Sequence, residues 1–118
     1  MIGIALLLVA VVFVFCRGVG VNVIVANKTQ AEIKNLEIRF TGGIATIPEI
    51  KAGKTYKTSV NPTGESRLEL RFADASGKDR AEAIGVYMEE GYRGEIFIEI
   101  SPDGTVKSKG TAYPSIWR

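Results

Sequence analysis

The sequence of 118 residues has no histidine and a single cysteine, Cys16. These shortages exclude the commonest zinc sites, Ser-His-Asp and Cys-His catalysis, and any internal disulfide. An excess of one charge is missing too: 15 Lys and Arg stand against 13 Asp and Glu, a net charge of +2. That balance excludes a strongly basic nucleic-acid module and a highly charged disordered chain. Aromatic residues make up only 8%. Apolar residues, at 46%, are ample for one modest core in a single domain.

Those apolar residues are spread unevenly. Residues 2–16 (IGIALLLVAVVFVFC) carry no charge and no strongly polar group. As a helix they would reach about 22 Å, short of the roughly 30 Å of a bilayer core. If Arg17 snorkels to the headgroups, the uncharged residues 18–21 lengthen the span to 1–21. We therefore expect residues 1–20 to form a hydrophobic helix, a membrane anchor or an uncleaved signal segment. Leu6, Leu7, Leu8, Phe13 and Phe15 would sit in lipid and Arg17 at its surface. No Lys or Arg precedes the run, no A-x-A site follows it, and bulky Val14 and Phe15 precede Cys16 where a lipoprotein has small residues. A buried core strand or helix is the remaining alternative. Arg17, Lys28 and Lys34 favour a cytoplasmic domain by the positive-inside rule. A small β-domain without thiols is more usual outside the cytosol. The expectation is an anchored, extracytoplasmic domain.

From residue 21 onward the period is two. Leu68, Leu70 and Phe72 alternate with Arg67, Glu69 and Arg71; Ile96, Ile98 and Ile100 alternate with Glu95, Phe97 and Glu99. Such alternation predicts strands with one face in a core and one in water. Turn chemistry separates the runs: Gly42-Gly43, Ala52-Gly53-Lys54, Asn61-Pro62-Thr63-Gly64, Ala75-Ser76-Gly77-Lys78, Glu90-Gly91-Tyr92-Arg93-Gly94 and Ser101-Pro102-Asp103-Gly104. The spacing predicts strands near 20–27, 32–41, 44–48, 54–60, 66–74, 80–89, 94–101 and 104–109. The apolar 20–27 strand is expected to be central or continuous with the anchor, and the three-residue step from Ile33 to Leu36 predicts a bulge. The fold expected over 21–110 is all-β, an antiparallel β-sandwich of seven to eight short strands, immunoglobulin-like or related, with an aromatic tail over 111–118.

Few constellations could carry chemistry. Asp74, Ser76 and Asp79 space oxygens around Gly77, but Lys78 and Arg80 oppose a cation, so a hairpin turn with an Asx cap is expected and no metal. Glu95 and Glu99, about 13 Å apart on one strand face, suit solvent better than an acid–base pair. Asn27-Lys28-Thr29 matches a glycosylation acceptor, a match frequent by chance. No catalytic residue, cofactor or small-molecule substrate is expected. The unusual segment is residues 87–94, YMEEGYRG. Tyr and Arg give large contact area at low entropy cost, so Tyr87, Glu89, Glu90, Tyr92 and Arg93 are expected to bind a protein partner, with Phe97 beside them and Trp117 in the tail. Residues 82–99, with five Glu and one Arg, are expected to form an acidic strand pair. The expected function is a membrane-anchored protein-binding or inhibitory module of the immunity or exclusion type at the cell envelope. The alternatives are a structural subunit of an envelope, secretion or conjugation assembly that pairs through sheet edges, and a secreted or lipid-anchored domain that binds something else.

Overall fold

The computed structural model describes residues 20–74 and 76–114. The expected anchor residues Leu6, Leu7, Leu8, Phe13, Phe15 and Arg17, and Trp117 of the tail, lie outside the described residues. Among the described residues no helix is long and apolar enough to cross a membrane.

Eight strands follow one another: β1 (Val21–Asn27), β2 (Ile33–Phe40), β3 (Gly43–Ile50), β4 (Thr55–Val60), β5 (Ser66–Ala73), β6 (Asp79–Met88), β7 (Tyr92–Ile100) and β8 (Val106–Pro114). They make two four-stranded sheets, sheet A in the order β4-β1-β7-β8 and sheet B in the order β3-β2-β5-β6. β3 lies against β4 and β6 against β8, so the sheets stack as a sandwich. Alternation does the sorting. Leu68, Leu70 and Phe72 of β5 face Val21, Val23 and Val25 of β1 and Ile96, Ile98 and Ile100 of β7 across one buried layer. Each such side chain contributes about 1.5–3 kcal/mol by leaving water.

Several expectations change in detail. β1 is central, as one alternative held, but it pairs with β7 in parallel, so the sandwich is not purely antiparallel. β3 runs over 43–50, and β8 continues through Thr111–Pro114, across the boundary drawn at 110. The expected bulge at Lys34-Asn35 is not a register shift: Ile33 pairs with Ile50 and Leu36 with Ile47, keeping one register. Asn35 turns to a φ of 53°. Opposite it Pro48 and Glu49 are both exposed, so the two strands distort together and keep Ile33, Leu36, Ile47 and Ile50 inside. The register shift lies instead between β5 and β6, where Ser66 pairs with Met88 but Leu68 with Ile84. The shift is two residues, which preserves the parity of the strand and lets both Ile84 and Met88 stay buried.

The strand directions gather Gly20, Pro114 and the connections 41–42, 61–65 and 89–91 at one end of the sandwich. The connections 28–32, 51–54, 74–78 and 101–105 lie at the other. That far end is tied by Asn27 and Arg80. Asn27 is fully buried. Its side-chain amide donates to the carbonyls of Ala31 (2.8 Å) and Ile50 (2.9 Å), and its oxygen accepts from Thr29 N (3.0 Å) and Thr29 Oγ1 (2.6 Å). Asp74 makes the expected Asx cap, accepting from Ser76 N, Ser76 Oγ and Lys78 N, and it also accepts from Arg80 Nε at 3.0 Å. The Ser76 hydroxyl and then the Arg80 guanidinium hold its carboxyl well below the usual carboxylate range. Arg80 reaches across to the β7–β8 turn, where a Cβ on Gly104 would lie 2.9 Å from its guanidinium; Gly104 also has a φ of 86°, the left-handed value expected of that turn.

Candidate functional site

The expected binding segment 87–93 is split by the fold into two places. β6 belongs to sheet B and β7 to sheet A, so the Glu89-Glu90-Gly91-Tyr92 turn crosses between the sheets rather than closing a hairpin. Gly91 has a φ of 81° and Tyr92 N donates to Glu89 O at 3.1 Å, the geometry of a type II turn. The expected acidic strand pair over 82–99 therefore does not form. Glu82 sits on β6, Glu89 and Glu90 on the turn, and Glu95 and Glu99 on the far face of the other sheet.

Around the turn the tyrosines pack on each other edge to face, with ring centroids 6.3 Å apart. Tyr87, 43% exposed, donates its hydroxyl to Glu65 Oε1 at 3.1 Å. Partial desolvation, together with the Glu65 and Glu89 carboxylates, pushes its phenol up to about 12. Tyr92 is half-buried and packs against the core, its hydroxyl 3.5 Å from Glu89 Oε2. Glu90 is exposed at the tip. Tyr87, Glu89 and Tyr92 thus latch the crossing from one sheet to the other, with their polar groups already engaged. Arg93 and Phe97 are elsewhere. Both point to the outer face of sheet A, and Phe97 lies four residues along β7 from Arg93, about 13 Å away.

That outer face is the more open surface. The registers bring Lys57, Ile24, Phe97 and Lys109 into one row across all four strands. Phe97 is 44% exposed, as its placement with Glu95 and Glu99 on the water side predicted. Ile24 beside it is half-buried. Above and below the row on β7 stand Glu99 and Glu95, and Tyr113, 45% exposed, pairs with Arg93 at the Gly20 end. A shallow groove of about 380 Å³ follows Ile24, Ala26 and Phe97 between Thr55 and Lys107. Among the described residues Lys57, Lys107, Lys109, Arg93, Glu95 and Glu99 make no ion pair within 4.0 Å.

The outer face of sheet B is different. Glu37 pairs across the strands with Arg71 and Arg39 with Glu69. Within each strand Arg39 Nη2 bonds Glu37 Oε1 at 3.1 Å and Arg71 Nε bonds Glu69 Oε1 at 2.7 Å. Each charge on this checkerboard has opposite charges on its flanks. Such exposed pairs add little stability, but they leave a neutralised centre, with the exposed Ile44 beside Arg39 on the edge strand β3.

Ile24, Lys57 and Lys109 escaped the sequence reading. Ile24 lies in an all-apolar strand whose faces cannot be told apart by pattern. The two lysines look like ordinary solubilising charge until the strand order places them on one row.

The chain matches no family model and no curated protein. Among solved structures it is similar to the NMR structure of a protein from Eubacterium rectale, with 14% sequence identity and a TM-score of 0.52 over 80% of this chain and 87% of that one. At that identity the likeness is one of fold alone.

Proposed function

We propose that this protein is a membrane-anchored binding module that docks a protein partner on the outer face of sheet A and works by contact, not by catalysis. The row Lys57–Ile24–Phe97–Lys109 carries this reading: an exposed apolar centre rimmed by cations without ion pairs among the described residues. An apolar centre with a polar rim is the anatomy of a docking patch, and exposed aromatics of this kind mark interfaces. Residues 2–16 supply the anchor, as a hydrophobic helix. The domain is extracytoplasmic and, within the sandwich class, immunoglobulin-like in its loose sense. Gly20 stands at one end of the strands, so a tether attached there leaves the outer faces lateral and open to neighbours. Occlusion of a partner's surface, as immunity and exclusion proteins do it, needs nothing more than such a face.

The sheet edges favour a face over the strand-pairing alternative. β3 carries Pro48, β4 is short and bears Lys57, and β8 carries Lys107, Lys109 and Pro114. β6 points the charges of Arg80 and Glu82 inward and shifts its register. All of these are features that oppose strand addition.

The test is capture of the partner by the tagged full chain from envelope extracts. Phe97→Asp should cut capture at least tenfold with the far-UV spectrum unchanged, whereas Glu90→Ala with Tyr92→Ala should leave it largely intact. Capture that survives Phe97→Asp removes the outer face of sheet A from the function.

A further inference from the structure

We infer that the partner of the sheet A face is a second copy of this chain, docked face to face with its strands crossed at about a right angle. This rests on the reading of that face as the binding surface and names its occupant. The face is charged in a cross, with Lys107, the cross-strand neighbour of Glu99, at one corner. Along the row that cuts the strands, the ends are Lys57 and Lys109, three strand spacings or about 14 Å apart. Along β7 the ends are Glu95 and Glu99, four residues or about 13 Å apart. The cationic and the anionic arms have nearly the same length, cross near Ile24 and Phe97, and lie perpendicular to each other. All four charged groups are exposed.

A surface of that kind is complementary to itself after a quarter-turn. Consider a two-fold axis lying in the interface along the diagonal from Thr55 to Thr111, at about 45° to the strands. It sets Glu95 against the partner's Lys109 and Glu99 against the partner's Lys57, each within about 2–3 Å of direct superposition by strand spacings. Ile24 and Phe97 then cover their counterparts, Thr55 and Thr111 meet their own copies on the axis, and Lys107 falls beside the partner's Ser59. The opposite diagonal would press Lys107 onto the partner's Lys107, so like-charge repulsion selects the first axis. Such a contact is isologous and closes at two copies, and orthogonal stacking is a known way for sheets to pack. Sheet B, neutralised by its own Arg–Glu pairs, offers no such pattern.

The face covers about 440 Å², four strand widths by seven residues. A standard interface buries about 800 Å² per side, so the contact is weak between freely diffusing copies. Confinement to one surface, as an anchor at residues 2–16 would give, raises the effective concentration and closes the gap.

The test uses the full chain in vesicles with a benzophenone side chain at position 97, irradiated also in the cells that make it. The expected photoproduct is a covalent dimer of this chain. A photoproduct with a different protein overturns the self-pairing and leaves the face as a binding surface; no photoproduct at all overturns both. Charge reversal tests the geometry in parallel, by energy transfer between labelled full chains. Glu95→Lys with Glu99→Lys, and separately Lys57→Glu with Lys109→Glu, should each lower self-association at least tenfold, because four attractive pairs become repulsive. Mixing the two reversed chains should restore pairing to within threefold of the parent. Association that ignores either reversal, or a mixture that stays apart, overturns the crossed arrangement.

Discussion

Replacing Asn27 by alanine should destabilise the domain by about 3–5 kcal/mol, from a side chain that sequence marks only as a chance glycosylation match. The amide of Asn27 spends both hydrogens on the Ala31 and Ile50 carbonyls, and its oxygen takes two donors from Thr29. The Ile50 carbonyl is deep in the fold, and stranding it costs about 1–3 kcal/mol; Ala31 O and Thr29 N, at the margin, add about 1 kcal/mol each. A domain of this size has about 5–15 kcal/mol in all, so a large share of its stability would go. Asn27→Asp is nearly the same shape but turns a carboxylate oxygen toward two carbonyls. Burial and that repulsion raise its folded pKa above the ordinary value of about 3.9, so the carboxylate is most destabilising at neutral pH and the loss shrinks as pH falls toward 4. Urea unfolding of residues 20–118 followed by circular dichroism, at pH 5 and pH 7, reads both effects. An alanine variant within about 1 kcal/mol of the parent, or an aspartate variant insensitive to pH, would refute the reasoning.

Three further outcomes are expected. Asp74, whose carboxyl is held low by Ser76 and Arg80, contributes stability present above its unfolded pKa and lost as pH falls below about 4; Asp74→Asn should flatten that acid limb in a Tm-against-pH series, and an unchanged limb would show that other carboxylates set it. Tyr87, raised to about 12, should ionise well above the ordinary tyrosine value of about 10 in an ultraviolet titration. Its contribution is present below about 10 and fades as pH rises toward 12, and Glu65→Gln should bring its titration down; if it does not move, the Glu65 hydrogen bond is not what holds it. Leu70→Asp should unfold the domain, since it places an unpaired charge at a site with no exposure, and a cooperative unfolding transition in that variant would contradict the core assignment.

Most of the strand content was legible because each strand reports its own burial. In β5 and β7 the side chain's neighbours along the chain state which face is wet, and no long-range information is needed. The turns were legible for a related reason: the Asp74 cap and the Gly104 turn satisfy their backbones locally. The three-residue step at Ile33–Leu36 misled because a one-strand pattern cannot show what its partner does. A bulge and a paired distortion look alike until Pro48 and Glu49 are seen opposite it. The segment 87–93 misled for another reason. Residues adjacent in sequence are normally adjacent in space, but a chain that changes sheets at Gly91 sends Tyr87 to one face and Arg93 to the other.

The chain's own order of residues decided that it folds as strands, where the turns fall, which side chains are dry, and that one apolar run precedes the sheets. Those features follow from local backbone preference and period-two burial, which act over a few residues. Only the tertiary structure decided that β1 joins β7 in parallel and that Lys57, Ile24, Phe97 and Lys109 share a row. Strand order and register are set by how two whole faces fit together, and a fit between segments far apart in sequence is written in no single stretch of it.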